Sequence, residues 1–370
     1  MTIRQKLFFY GINSFGWKSK RRIVVFESDD WGSTRMPSKK VYERLLRSPI
    51  KVDSCPYSKF DSLESPEDFE CLYDVLLRFR DFNGFHPKFT TNFLVTNPNY
   101  EKIRESDYTQ YYFEGIEDTY LRYGYATKRL IDLGIKENLI YPQLHGREHL
   151  NTPMWLDLLE QNMDVRLAAD TGLYLLSFAN ISSIKLPYLA SFMPYKSDYL
   201  KNHLSILQDS YKLFVSFFHN QPKSFVAPVY VWHNEMAKEL NGLGIRSIQG
   251  LFRKVNFGEN AKRINTTNRT FNKVDSFGNV NLVRNCFFEP SLDQHKDWIS
   301  EVLHQIEIAF MFNRPAVICS HRLNYIGSIN SPNRKSNLKS LNDLLTRILA
   351  KWPNVEFLSS DQLCEHLSSD

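Results

Sequence analysis

The stretch Arg22-Ile23-Val24-Val25-Phe26-Glu27-Ser28-Asp29-Asp30-Trp31-Gly32 decides the fold class that the sequence predicts. Its first seven residues are mostly apolar and β-branched, and a Gly turn follows, which predicts a buried strand. Asp29 and Asp30 then lie at the carboxyl end of this strand, where α/β barrels collect catalytic groups. Adjacent carboxylates repel each other unless a cation, a proton or a basic side chain lies between them. We therefore interpret the pair as functional; the alternative is a helix N-cap on a solvated loop.

A second short apolar run, 139–144, ends in His145-Gly146-Arg147-Glu148-His149. Two imidazoles four residues apart can face the same way and share one metal ion. One added carboxylate gives two His and one Asp, the composition of an open, catalytic zinc-type site. The same residues match HxxEH, the inverted zinc-protease motif, in which both His lie within one helix. Asn151-Thr152-Pro153 indicates a helix start, which would leave the histidines in a loop and disfavours the protease.

Short apolar runs alternate with longer helix-like segments, which predicts parallel strands with crossover helices. The predicted strands are 22–28, 88–95, 139–144, 224–229, 245–248, 280–286, 315–320 and 355–359. The predicted helices are 38–48, 116–134, 153–162, 197–217, 233–242, 297–312, 336–351 and 360–368. Segments 50–86 and 250–279 are predicted to be irregular loops over one rim of the barrel. We expect one α/β barrel over residues 22–370, preceded by a basic, aromatic segment at 1–21.

The net charge of +5 is concentrated at the start of the chain, because residues 1–22 hold six basic side chains and no acid. Together with the aromatic residues there, this favours either contact with an anionic membrane surface or a helix that packs on the barrel. The segment lacks the long apolar core of a signal peptide, and no run approaches the roughly 20 apolar residues that span a bilayer. Five widely spaced cysteines without CxxC indicate reduced thiols. We expect a cytoplasmic protein, with peripheral attachment at the inner membrane face as an alternative, and no nucleic-acid partner.

A later apolar run, 315–320, ends in His321-Arg322. A histidine at the carboxyl end of a strand, in a barrel whose other strands end in acids and histidines, is an acid/base candidate. A structural histidine is the alternative.

The order of these motifs resembles that of the polysaccharide deacetylases of the NodB-homology superfamily, which are carbohydrate esterase family 4-like. The family has an Asp-Asp motif, an HxxxH motif, a strand end with Pro, a segment with Trp and a late strand that ends in His. The matching residues are Asp29-Asp30, His145/His149, Ala227-Pro228-Val229, Asp297-Trp298 and His321. The resemblance implies a divergent member with a distorted seven- or eight-stranded β/α barrel, a (β/α)7–8 barrel with loop insertions on its catalytic rim.

The resemblance also implies the chemistry. A divalent metal, usually zinc, would bind Asp30, His145 and His149, with Asp29 as general base and His321 as the acid that protonates the leaving amine. The metal would lower the pKa of a water molecule, and a backbone N–H near Tyr230 would help to hold the oxyanion. The further substrate candidates are Pro228, Tyr230, Trp232, Arg147 and Arg322. The implied function is removal of an N-acetyl or related acyl group from a carbohydrate in surface-polysaccharide metabolism.

One departure from the family bears on the activity. The family has an arginine before its Pro motif that positions the catalytic Asp, whereas Val226 and Ala227 stand here. Arg147 or Arg322 is the expected substitute from a neighbouring strand end. Two alternatives stay open, an inactive carbohydrate-binding relative and a non-sugar amide hydrolase. The basic N-terminal segment suggests that the sugar is lipid-linked.

Overall fold

The computed structural model describes residues 2–184, 187–271 and 273–369. Its strands, numbered β1 to β13 in chain order, are Arg22–Trp31, Phe89–Phe93, Thr96–Pro98, Phe113–Gly115, Ile140–Leu144, Ser224–Phe225, Ser247–Leu251, Arg253–Gly258, Lys262–Asn268, Val280–Arg284, Cys286–Phe287, Ala316–His321 and Val355–Leu358. Its helices, α1 to α14, are Ile3–Asn13, Lys39–Leu45, Pro56–Phe60, Pro66–Leu76, Tyr100–Glu105, Ile116–Arg122, Thr127–Lys136, Thr152–Gln161, Met163–Asp170, Tyr199–Phe218, Asn234–Gly242, Trp298–Met311, Ser331–Lys351 and Ser360–Ser369.

Eight parallel strands form a sheet that nearly closes into a barrel. Its order is β10-β7-β6-β5-β2-β1-β12-β11, and β13 pairs with the first half of β1. The strands at the two ends of this order, β10 and β11, follow one another in the chain with only Asn285 between them, so the stretch 280–287 pairs with β7 through its first part and with β12 through its last. This arrangement confirms the predicted distorted (β/α)7–8 barrel. It also gathers the carboxyl ends of all eight strands at one end of the molecule.

Strand β1 lies in the middle of the sheet, and its residues are buried on both faces. Ile23 to Phe26 are completely buried, as expected for a parallel strand that helices cover from outside. The ring of Phe26 stacks on that of Phe89 in β2 with 5.0 Å between centroids. On its other side β1 pairs with β12 in the register that places Asp29 opposite His321.

The prediction that 50–86 and 250–279 are irregular was wrong. The first segment contains α3 and α4, and α4 begins at Pro66 with a capping box between Ser65 and Asp68. The second contains the antiparallel hairpin of β8 and β9. The hairpin escaped detection because β9 is exposed along its whole length and has no alternation of apolar and polar residues.

Helix α1 packs on the barrel, which was one of the two alternatives for the N-terminal segment. Phe9 and Ile12 are buried, and the Arg314 guanidinium donates to the Asn13 carbonyl at 2.9 Å. The helix packs against α12, and the Phe9 ring lies 6.2 Å from that of Phe287 in β11. In the described residues, no helix is long and apolar enough to cross a membrane. Contact with a membrane surface stays a prediction.

Candidate metal centre and active-site pocket

A distortion at the end of β1 turns two neighbouring carboxylates toward the same space. Successive residues of a regular strand point to opposite faces, so Asp29 and Asp30 would normally diverge. The register against β2 shifts between Ser28 and Trp31, and Asp30 has a φ of 75°, a value uncommon for a residue other than glycine. Gly32 follows at a φ of 82°, and a Cβ there would lie 2.3 Å from the Leu94 carbonyl oxygen. This turn therefore requires glycine.

The two carboxylates open into a pocket of about 320 Å³ at the carboxyl end of the barrel. Its lining includes Asp29, Asp30, Arg35, Cys55, Tyr57, His145, His149, Leu175, Ser177, Leu189, Ala227, Val229, Tyr230 and His321. The predicted metal ligands, the predicted base and the predicted acid are thus together in one cavity. Their catalytic roles stay predictions.

Asp30, His145 and His149 are arranged as three ligands of one metal ion. The Asp30 Oδ1 atom lies 3.5 Å from His145 Nε2 and 3.6 Å from His149 Nε2. Ligand atoms that are each about 2.1 Å from one tetrahedral ion lie about 3.4 Å apart, so the spacing fits a zinc-like ion. Among the described residues, Asp30 Oδ1 is a buried oxygen with no hydrogen-bond donor. The donor set and this unpartnered oxygen both fit a divalent metal.

The surroundings of the three ligands favour the protonation states that bind metal. Burial alone would raise the pKa of Asp30, but Arg35, whose Nη2 donates to Oδ2 at 2.9 Å, holds it well below its usual value. Burial lowers the pKa of His149 to about 4, so its imidazole is neutral at ordinary pH. His145 Nδ1 lies 2.9 Å from the Val226 carbonyl oxygen. A proton on that nitrogen leaves Nε2 free for the metal.

Arg284, at the end of β10, positions Asp29. Its Nη1 and Nη2 donate to the two carboxylate oxygens at 2.6 and 2.7 Å, and its Nε donates to Glu27 at 2.6 Å. The Asn92 amide donates to Asp29 as well, at 2.8 Å. Burial would raise the pKa of Asp29, but the Arg284 charge outweighs burial and lowers it to about 2. Asp29 is therefore ionised at any working pH, with both oxygens fixed in orientation.

Neither arginine expected from the sequence holds Asp29. Arg147 donates from Nε and Nη2 to Glu148 at 2.7 and 3.0 Å. Arg322 is bound to Asp61 at 3.0 Å and Glu64 at 2.6 Å, both outside the pocket. The prediction was wrong because these two side chains have carboxylates of their own nearby. Arg284 reaches Asp29 from across the barrel interior.

The protease alternative requires Glu148 near the metal ligands and both histidines in one helix. The Glu148 carboxylate instead accepts hydrogen bonds from Arg147 and from the Thr96 hydroxyl, at 3.1 Å. The histidines lie in the loop between β5 and α8, as expected. Helix α8 begins at Thr152, with Asn151 as its N-cap.

His321 at the end of β12 forms a pair with Glu289. Its Nδ1 lies 2.6 Å from Glu289 Oε1, and its Nε2 lies 4.0 Å from Asp29 Oδ2. Burial would lower the pKa of His321, but Glu289 outweighs it and raises the pKa to about 9. The imidazole is therefore protonated at neutral pH. A charged histidine that faces the pocket can give a proton to a leaving group.

The turn after β6 was expected to supply substrate contacts and a backbone N–H for the oxyanion, and only some of these groups reach the pocket. Pro228 is buried and begins the turn that brings Tyr230 to the pocket, where the phenol oxygen accepts from Arg284 at 2.9 Å. The Tyr230 N–H already donates to the Ala227 carbonyl at 2.8 Å, so it is not a free oxyanion donor. Trp232 does not line the pocket. It is buried, and two basic side chains cover it, Lys254 at 4.1 Å and Arg269 at 5.0 Å from the ring centroid.

Sequence reasoning missed three residues of this site: Arg35, Arg284 and Glu289. Arg284 ends the run Val280-Asn281-Leu282-Val283, the same signal of a charged residue after an apolar strand that identified Asp29. Glu289 follows the next strand, after the apolar residues Cys286 to Phe288. Arg35 lies in a loop and carries no such signal.

Comparisons with solved structures support the barrel fold. A protein of Parabacteroides distasonis named as a glycoside hydrolase/deacetylase aligns over 94% of this chain and 71% of its own, with 9% identity and a TM-score of 0.51. Proteins named as polysaccharide deacetylases, from Pseudomonas aeruginosa PAO1 and Mycobacterium smegmatis, align over 96% of this chain and 93% of theirs. Their identities are 7% and 11%, and their TM-scores are 0.48 and 0.44.

Comparisons with protein-family models and with curated proteins find no match. The structural likeness at 9% identity concerns the fold alone. The chain thus has the barrel fold of the Parabacteroides distasonis protein named as a glycoside hydrolase/deacetylase, and the barrel that the resemblance to polysaccharide deacetylases implied is confirmed.

Proposed function

We propose that this chain is a metal-dependent hydrolase that removes an N-acetyl group from a sugar. One observation carries the proposal: Asp30, His145 and His149 converge around an unpartnered buried carboxylate oxygen in the pocket that also holds Asp29 and His321. A bound divalent ion would supply Lewis-acid activation of water and of the amide carbonyl. The chain shares its fold with a protein named as a glycoside hydrolase/deacetylase, which supports the same class of reaction.

Asp29 and His321 divide the proton transfers of amide hydrolysis. Water adds to the carbonyl carbon and the C–N bond breaks, which yields acetate and an amine. The Asp29 carboxylate, held by Arg284, accepts the proton that the water loses. His321, kept protonated by Glu289, donates the proton that the leaving nitrogen needs. Arg35 occupies one oxygen of Asp30 and leaves the other directed at the two histidines.

The test measures metal content and acetate release on one preparation of the wild type, Asp30→Ala and Asp29→Asn. The substrates are N-acetylated oligosaccharides and a small aryl acetate. We expect about one zinc-like ion per chain in the wild type, none in Asp30→Ala, and metal without turnover in Asp29→Asn. Asp132→Ala is the matched control, because Asp132 is an exposed acid on α7 that pairs only with Lys128 in the described structure.

Three results would contradict the proposal. Wild-type protein that takes up no divalent metal would exclude the metal centre. Metal that binds equally well to Asp30→Ala would place the ion elsewhere. A wild type with metal that cleaves the aryl acetate but no sugar amide would favour the non-sugar hydrolase.

A further inference from the structure

Helix α1 carries apolar residues on two opposite faces. Phe9 and Ile12 on one face are buried against the barrel. The other face presents Ile3, Leu7 and Phe8, whose side chains are 80%, 63% and 44% exposed. A helix on the surface of a globular protein normally turns charged and polar residues outward, away from the core. Packing on the barrel therefore accounts for the first face of α1 and not for the second.

The exposed residues of this second face are adjacent to one another. At about 100° per residue, five exposed positions of α1 fall within an arc of about 140°. These positions are Ile3, Arg4, Leu7, Phe8 and Gly11, which we call the exposed face of α1. Its one charged member is an arginine, and a long basic side chain can lay its apolar stem along such a face while its charge stays in water.

The charge around the exposed face is positive. Residues 1–22 contain six basic side chains and no acid, and Arg4, Lys18 and Lys20 are exposed. Phe15, which follows the end of the helix, is 67% exposed and adds an aromatic ring to the same segment. A surface that combines exposed apolar side chains with unbalanced positive charge favours a partner that is both apolar and anionic.

The neighbouring helix does not cancel this charge. Lys6 lines a cleft with Lys296, Asp297 and Glu301 at the start of α12. The Glu301 carboxylate pairs with Lys296 at 2.9 Å, and Asp297 is the N-cap of α12. Two lysines and two carboxylates thus balance within the cleft, and the exposed cations of residues 1–22 remain in excess.

The same cleft locates α1 relative to the metal pocket. Lys296 and Asp297 lie in the loop between β11 and α12, at the carboxyl end of the barrel. The first turns of α1 therefore lie beside the catalytic rim. At the other end of the helix, the Asn13 carbonyl accepts from Arg314, which precedes β12. The exposed face thus runs along the side of the barrel and begins next to the rim that holds the metal pocket.

We propose that the exposed face of α1 binds the surface of an anionic lipid bilayer. Its apolar side chains enter the boundary between headgroups and acyl chains, and the basic side chains bind lipid phosphates. The helix has 11 residues, so it lies on a bilayer and does not cross it. A second copy of this chain is not favoured as the partner, because a symmetric contact would bring two sets of cations together.

The inference joins the two alternatives that the sequence left open for this segment, since one face packs on the barrel while the other binds lipid. It does not depend on the proposed function, because no residue of the metal pocket takes part. Its test therefore needs no substrate.

The test measures sedimentation of the full chain with phosphatidylcholine vesicles that contain either no anionic lipid or an equal part of phosphatidylglycerol. Leu7→Gln/Phe8→Gln removes two apolar side chains without a change in charge. Leu121→Gln/Phe82→Gln is the matched control, because it makes the same two changes at exposed positions elsewhere. We expect the wild type and the control to bind the anionic vesicles, and the α1 variant to bind them at least about tenfold more weakly.

A second variant tests the charges. Lys18→Gln/Lys20→Gln should weaken binding to the anionic vesicles about fivefold for each lysine removed. Added sodium chloride should weaken wild-type binding, because salt screens the same charges. Since Leu7, Phe8 and both lysines are exposed, thermal unfolding of these variants should match that of the wild type. A loss of binding is then not a loss of the fold.

Four results would overturn the inference. The first is a wild type that does not sediment with anionic vesicles, and the second is equal binding by the wild type and Leu7→Gln/Phe8→Gln. The third is equal wild-type binding to the two kinds of vesicle, which would remove the role of the charges. The fourth is a wild-type dimer that becomes monomeric in Leu7→Gln/Phe8→Gln, with no vesicle binding by either, which would assign the exposed face to a second copy of the chain.

Discussion

The two sides of the metal pocket treat two adjacent carboxylates differently. On one side Arg284 binds both oxygens of Asp29, and Asn92 adds a third hydrogen bond. On the other side Arg35 binds only one oxygen of Asp30, and the second oxygen faces His145 and His149 without a donor. Adjacent residues of one strand are thus given different chemistry, because Asp29 accepts three hydrogen bonds and Asp30 accepts one. A fully bound carboxylate is held in place, and a half-bound one can take a metal.

The largest effect is expected from Arg284→Met, which removes the arginine on the Asp29 side. Asp29 and Glu27 would remain buried without their cation, and loss of one partner of a buried ion pair costs about 3–5 kcal/mol. We expect a fall of this size in the free energy of unfolding, measured by urea denaturation, together with loss of acetate release. Arg334→Met is the control, because Arg334 pairs with buried Asp68 outside the pocket. Equal activity in the two variants would contradict the role given to Arg284.

Arg35→Met tests the Asp30 side. Without Arg35 the carboxylate is free to rotate, and loss of such a supporting contact lowers metal affinity by about 10–100-fold. A chelating dye in competition measures this change, with Arg122→Met, a partly exposed arginine paired with Glu114, as the control. The metal affinity of Arg284→Met should change less. The comparison between the two sides fails if Arg284→Met weakens metal binding more than Arg35→Met does.

A smaller, pH-dependent effect is expected from Glu289→Gln. Glu289 raises the pKa of His321 to about 9, so wild-type activity should fall as the pH rises through about 9. The variant loses the negative charge, and the alkaline limb should move toward the ordinary histidine value near 6.5. The same pair stabilises the wild-type fold below about pH 6.5, and this contribution is lost as the pH rises through 9. The pH dependence of aryl acetate hydrolysis measures where the activity falls on the alkaline side. If this pH is the same in Glu289→Gln and the wild type, the fall in activity is due to the titration of another group.

The smallest effect on activity is expected from Trp232→Phe. Trp232 lies between Lys254 and Arg269 outside the pocket lining, so its removal should cost stability of about 1 kcal/mol and leave kcat/KM unchanged. Thermal unfolding and sugar deacetylation measure the two quantities. Tyr230→Phe is the companion variant, because it removes a hydroxyl that binds Arg284 in the pocket. A drop in kcat/KM for Trp232→Phe would indicate that Trp232 belongs to the substrate site, as the sequence predicted.

The barrel strands were predictable because each has a local signature. The runs at β1, β2, β5, β12 and β13 are apolar and bounded by turns, and the structure places them within a few residues of the predicted bounds. Helix α4 and the β8–β9 hairpin were not predicted. Their segments are rich in polar residues, and only packing against the rest of the chain decides their conformation.

The sequence by itself determined which side chains end the barrel strands, and hence that Asp29, Asp30, His145, His149 and His321 meet at one end of the molecule. Strand periodicity and chain order are enough for that, because parallel strands align their carboxyl ends. Only the tertiary structure decided which cation serves which carboxylate. Arg284 is 255 residues from Asp29 in the chain, and its selection over Arg147 and Arg322 depends on distances across the barrel. Local sequence contains no information on such distances, since they arise from closure of the sheet.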